Sequence, residues 1–239
     1  MKILGIDSSG LVASAAVVAD DSLVAEFTVN NKQTHSQTLL PMIDKVVEMS
    51  GIRLEELDGI AVAAGPGSFT GLRIGSSTAK GMALVLNKPI IPVPTLEGLA
   101  YRAALAEGVI CPLMDARRNQ VYTGIYQMQD DRLLCLKEQT AEDILEVIDS
   151  LNKLNQKVTF LGDGVPVHKS VLEERLTVPY QIAPSHLNRQ SAAAVAALGT
   201  LYLAEGKTET AAAHKPVYLR QSQAERERAM RLQQSGSDL

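Results

Sequence analysis

The sequence predicts an α/β protein built from two copies of one unit, each a mixed sheet with helices on both faces. Three observations predict it. Apolar strands come in triplets, a paired aspartate marks a tight turn within each triplet, and the whole pattern recurs in the second half of the chain. The first copy opens with strands over 2–7 (KILGID), 11–19 (LVASAAVVA) and 22–29 (SLVAEFTV), the last two joined at Asp20-Asp21. A helix over 35–50, a strand over 58–64, a helix over 70–86 and a strand over 90–93 follow by periodicity. The second copy repeats the triplet over 109–114, 120–127 and 132–137, with Asp130-Asp131 at its turn and Asp115 placed as Asp7 is in the first. A helix over 141–151, a strand over 158–162 and an Ala-rich helix over 190–205 complete it.

Antiparallel triplets that lead into alternating strands and helices match two ribonuclease-H-like lobes of the actin-like ATPase fold, as in actin, sugar kinases and heat-shock chaperone ATPases. The expected division is 1–106 for an N-terminal lobe, 107–220 for a C-terminal lobe, and 221–239 for a polar, charge-balanced tail that reads as a loose helix or a disordered end.

Composition narrows the function classes. At 239 residues with 46% hydrophobic content the chain has enough apolar material for one large core or two small ones. No apolar run approaches the ~18 residues that cross a bilayer, and the first residues enter a strand pattern directly, so a cytoplasmic protein without membrane contact is expected. A net charge of −4 opposes independent binding of nucleic acid. Cys111 and Cys135 lack metal or redox spacing and are expected as buried thiols. His35, His168, His186 and His214 are dispersed and read as surface or capping residues.

Several segments carry possible chemistry. The run GPGSFTGLRIGSSTAKG over 65–81 is a glycine loop of the kind that lies under a phosphate, although Gly65, Pro66 and Gly67 are equally explained as a turn from strand to helix. Asp7 ends a strand where such folds keep an acid for magnesium. Gly162 and Gly164 flank Asp163 after a strand and would let a nucleotide approach, or simply form an exit turn. The helix over 35–50 has an apolar face of Leu39, Leu40, Met42, Ile43, Val46, Val47 and Met49, wider than one buried stripe needs. In the next helix Gly71, Gly75 and Ala79 form a small-residue row that admits another backbone. Packing on their own sheet and an intermolecular helix bundle both account for these two helices.

The segments GIDSS from 5, AAGPGSFTGLRIG from 63, MDARRNQVY from 114 and PVYLR from 216 together resemble the TsaB (YeaZ) family across nearly the whole chain. That family is paralogous to TsaD, the enzyme that places a threonylcarbamoyl group on the adenosine beside the tRNA anticodon. The resemblance implies a non-catalytic scaffold. The catalytic paralogue has a Val-His-His-Met-Glu-Gly-His segment whose later histidines hold a metal, where this chain has Thr95 and Leu99. Threonine is a poor ligand for a transition metal and leucine is none. The enzyme's acidic Asp-Glu-Thr run is replaced by Leu11-Val12-Ala13, and its Ser-Gly-Gly-His-Thr hairpin by Asp115-Ala116-Arg117-Arg118-Asn119. Arg117 and Arg118 read as solvated surface groups.

By the same resemblance, the chain pairs with TsaD through first-lobe helices at Leu39, Ile43, Val46, Val47, Gly71, Ile74, Gly75, Thr78, Ala79 and Met82, or forms a homodimer there when alone. The ATPase TsaE would join a larger complex. ATP and metal belong to the partners, no cofactor binds this chain alone, and tRNA is met only through the complex. The alternative is a small-molecule kinase or ATPase of the same fold, using Asp7 with Gly162 and Gly164. A metal-dependent hydrolase is a further rival, which predicts bound zinc or iron.

Overall fold

The computed structural model describes residues 1–31 and 34–220. The expectation for 221–239 lies outside the described residues.

The first half of the chain forms β1 (Lys2–Asp7), β2 (Ala13–Ala19), β3 (Ser22–Val29), α1 (His35–Ser50), β4 (Gly59–Ala63), α2 (Phe69–Leu86), β5 (Ile90–Val93) and α3 (Thr95–Tyr101). The second half forms β6 (Val109–Asp115), β7 (Gln120–Gln129), β8 (Arg132–Asp143), α4 (Ile144–Leu154), β9 (Val158–Leu161), α5 (Gly164–Arg175), β10 (Tyr180–Ile182) and α6 (Ala192–Ala204). The paired aspartates form the hairpin turns because both members of each pair take left-handed backbone, φ 45° and 56° at Asp20 and Asp21, 49° and 61° at Asp130 and Asp131. Helix α2 starts where Ser68 Oγ accepts from the Gly71 amide and stops at left-handed Asn87.

Two five-stranded sheets result, ordered β3-β2-β1-β4-β5 and β10-β9-β6-β7-β8. In each, three antiparallel strands are extended by two parallel ones, so β6 to β10 repeat the topology of β1 to β5. The repeated aspartates predicted this duplication.

The helices cross the expected division. Helices α1 and α2 cover one face of the first sheet over Leu4, Ile6, Val17, Ile60 and Val62. Its other face is covered by α6, expected with the second lobe, which packs Val195, Ala196 and Leu198 against Ile3, Ala61 and Ile91. Conversely α3, from the first half, lies against β6, β7 and β8. Each sheet needs apolar cover on both faces, and each takes one covering helix from the other half of the chain. The remaining face of the second sheet is filled by α4 and α5 over Val109, Cys111, Leu113 and Phe160.

Some local expectations shift. Strand β8 runs on to Asp143, still paired with Gln120, so α4 begins at Ile144 rather than 141, capped by Asp143 Oδ1 accepting from the Leu145 amide at 2.9 Å. Cys111 is buried, but Cys135 is exposed on edge strand β8. His168 and His214 are buried at 5% and 1% exposure rather than lying at the surface.

Candidate functional site

The helix start that lacks histidines is built into the core. Thr95 exchanges two hydrogen bonds with Gly65: the Gly65 amide donates to Thr95 Oγ1 at 3.1 Å, and the Thr95 amide donates to the Gly65 carbonyl at 2.9 Å. Leu99, 1% exposed, joins Leu96 in an apolar cluster with Ile110, Met114, Tyr126 and Leu161 of the second sheet. Thr95 therefore ties the helix start to the glycine loop, and Leu99 fastens the two halves of the molecule together. Neither residue fits a metal, and among the described residues no group of three His, Cys, Asp or Glu side chains stands close enough to hold one. On the same helix burial holds Glu97 above the usual carboxylate range, opposed by a hydrogen bond with Tyr202.

The glycine loop is covered by its own chain. A Cβ at Gly65, where φ is 116°, would stand 2.1 Å from the Val217 carbonyl oxygen. One at Gly67 would meet Ser9 O at 2.3 Å, one at Gly71 would meet Ser8 O at 2.1 Å, and one at Gly75 would meet Ser8 Oγ at 2.4 Å. The turn after β1 thus sits directly on α2, with the Ser8 hydroxyl donating to the Gly71 carbonyl at 2.8 Å and the Ser68 amide donating to Ser9 O at 2.7 Å. The small-residue row does admit a close backbone, but that backbone is this turn and not a partner helix.

Asp7 ends β1 inside this turn. Its Oδ1 accepts from the Ser9 amide at 2.9 Å and the Ser9 hydroxyl at 2.6 Å. Burial pushes its carboxyl up from 3.8 to about 6, against those two bonds and the charges of His35 and Arg102. The group is a turn cap first.

The second glycine pair is likewise filled. At Gly162, φ 110°, a Cβ would lie 2.1 Å from the Leu113 carbonyl oxygen, and at Gly164 3.0 Å from the same atom. Asp163 Oδ1 accepts from the Asp115 amide at 3.1 Å, and Arg189 Nη1 donates to the Gly162 carbonyl at 3.1 Å. The backbone approach these glycines permit is spent on β6.

Between the two sheets remains a cleft of about 390 Å³, bordered by Ser9, Ser68, Asp115, Arg117, Asp163 and Tyr218. Two arginines, Arg117 and Arg220, and two aspartates line it, so its charge is mixed and it lacks the one-sided positive field a phosphate favours. Of the replaced acidic run, Leu11 lines this cleft at 69% exposure, while Val12 and Ala13 are buried.

The predicted partner face needs correction. Leu39, Ile43, Val46 and Ala79 are at most 3% exposed because they seat α1 and α2 on the first sheet. Gly71 and Gly75 are sealed by Ser8. Val47, Ile74 and Met82 are half-buried against that core, and Thr78 is half-buried on the same helix. The apolar atoms that reach solvent are Leu40 at 60%, Met49 at 68%, Leu84 at 76% and Val85 at 84%. Beside Leu84, Gly81 has open space where a Cβ would stand. Sequence periodicity found the apolar positions of these helices without showing which of them the sheet would claim. It also left PVYLR unplaced, although Val217 and Tyr218 cover the glycine loop and Phe69.

A family model described as TsaD, tRNA N6-adenosine threonylcarbamoyltransferase, matches residues 22–228. The chain is 34% identical over 231 residues to the Bacillus subtilis (strain 168) tRNA threonylcarbamoyladenosine biosynthesis protein TsaB, covering 94% of this chain and 96% of that one. It superposes on YeaZ from Pseudomonas aeruginosa with a TM-score of 0.76 at 25% identity, covering 91% of this chain and 99% of that one. An Arthrobacter inorganic polyphosphate/ATP-glucomannokinase, 11% identical with a TM-score of 0.50 over 84% of this chain and 98% of that one, shares the fold alone.

Proposed function

The chain belongs to the TsaD family, among its TsaB members, and has a role in tRNA threonylcarbamoyladenosine biosynthesis; from that premise we propose that it is a non-catalytic scaffold. One observation carries the proposal. The positions that would hold metal and phosphate are packed with the chain's own atoms, Leu99 in the core between the sheets and Val217, Ser8 and Ser9 on the glycine loop. Those positions offer neither metal ligands nor an open backbone cradle, whereas the outer surfaces of α1 and α2 stay apolar at Leu40, Met49, Leu84 and Val85.

In this reading the chain pairs with a TsaD-type transferase through those outer surfaces, or with a second copy of itself when alone. TsaE completes the assembly, the partners hold ATP and metal, and tRNA is engaged through the complex in the cytoplasm. Among the described residues no helix is long and apolar enough to cross a membrane.

Gly81→Arg tests the interface, because the added side chain meets open space in the isolated chain and obstructs a helix laid across α2. Expected are a melting temperature equal to or slightly above the parent's, loss of the transferase complex in gel filtration and calorimetry, and loss of threonylcarbamoyladenosine formation in the reconstituted system. Retained binding overturns the interface. ATP hydrolysis by the purified chain would instead favour the kinase reading with Asp7, Gly162 and Gly164.

A further inference from the structure

After α6 the chain doubles back along the first sheet and reaches across to the second. Glu209 pairs with Ile90 on edge strand β5, the two amides donating to the opposite carbonyls at 2.8 and 2.9 Å. His214 is buried, and Lys80 Nζ of α2 donates to its carbonyl at 3.1 Å. The Val217 amide then donates to the Ala64 carbonyl at 2.7 Å, and the Val217 carbonyl fills the space left by Gly65. The Tyr218 ring lies 4.5 Å from that of Phe69, and the Arg73 guanidinium stands over the Phe69 ring at 4.0 Å; Arg73 Nε also donates to Tyr218 Oη at 3.4 Å. Finally Arg220 donates from Nη1 to the Ala116 carbonyl, in the hairpin between β6 and β7.

We propose that residues 216–220 are a built-in clamp, seated on the glycine loop in place of a ligand, that holds the two halves at one fixed opening. The apolar cluster around Leu96 and Leu99 joins the halves through α3, and α6 of the second half packs on the first sheet. Apolar contacts of this kind are non-directional and tolerate small rotations, whereas directional contacts across the cleft fix one opening. The clamp supplies those contacts: an aromatic stack on Phe69 of the first half and a guanidinium bond to Ala116 of the second, joined by one intervening residue. Tyr218, Leu219 and Arg220 also form one wall of the cleft, so its shape depends on the clamp remaining in place.

The test uses the full chain without partners. Spin labels at Lys45→Cys on α1 and Lys153→Cys on α4, in a Cys135→Ser background that leaves only buried Cys111, report the distance between the halves by double electron–electron resonance. The expected result is one narrow distance for the clamped parent chain and for Tyr218→Phe, which keeps the ring stack. In Tyr218→Ala/Arg220→Ala the distribution widens at least about twofold, and amides 115–120 exchange about tenfold faster, as the loss of one stack and one hydrogen bond implies. If the double variant does not fold, Arg220→Gln alone is read in the same way. A folded variant with parental distance width and parental exchange in 115–120 overturns the clamp. These outcomes are independent of whether a transferase binds α2.

Discussion

Asp7→Asn separates a turn cap from a cation ligand. Burial raises the Asp7 carboxyl from 3.8 to about 6, the Ser9 bonds and the charges of His35 and Arg102 recovering only part of the shift. A raised folded-state value means that the folded chain holds the proton more tightly than the unfolded chain. The resulting stability is therefore complete below pH about 4 and is lost as pH climbs through about 6. Two pKa units at 1.36 kcal/mol each amount to about 3 kcal/mol. Asparagine stays neutral at every pH, its Oδ1 accepts the same two bonds from Ser9, and its Nδ2 donor stands where the protonated acid carries its O–H. Urea unfolding should give similar stabilities at pH 4, and an advantage of about 3 kcal/mol for the variant at pH 7.5. An equal difference at both pH values refutes the reasoning. The variant should also support threonylcarbamoyladenosine formation at the parental rate in the reconstituted system, whereas a loss of more than about tenfold would return Asp7 to a magnesium role.

Two further outcomes follow from packing. Thr95→His/Leu99→His restores the imidazole pair in sequence but removes Leu99 from the core between the sheets, so the urea midpoint should fall by the equivalent of about 2–5 kcal/mol. Elemental analysis should find no stoichiometric metal, and one bound zinc or iron per chain would contradict the reading of that helix start. Gly71→Ala and Gly81→Ala form a matched pair on α2: the first drives a Cβ to 2.1 Å from Ser8 O, the second meets open space. The first should lose more than about 2 kcal/mol and the second gain up to about 1 kcal/mol in thermal unfolding. Equal effects at both sites would mean that the turn does not rest on the helix.

The duplicated sheet was legible because its signals are local. Alternating apolar residues and aspartate pairs act within a few positions of chain and placed β1 to β3 and β6 to β8, while helical periodicity and alanine content placed α1, α2 and α6. Helix α5 escaped notice because only Gly164, Val165, His168 and Leu172 of its twelve residues turn inward, too sparse a set to show a helical period. The loss of the histidine pair was also readable, since ligand chemistry belongs to side-chain type. The destination of the replacing residues was not, because nothing near Thr95 specifies that Gly65 will be its partner.

By itself the sequence determined the two-sheet α/β architecture, the family, and the absence of metal ligands at Thr95 and Leu99. Only the tertiary structure decided which surfaces were free. Leu39 and Leu40 are adjacent and equally apolar, yet one is 1% exposed and the other 60%, because the sheet beneath α1 selects one face. Gly71 and Gly75 announced a close approach, and long-range folding brought Ser8 rather than a partner to meet them. Burial is a property of what arrives from distant parts of the chain, and in this protein the arriving segments, from the turn at Ser8 to the strand of residues at Val217, converge on the loop whose glycines suggested a ligand.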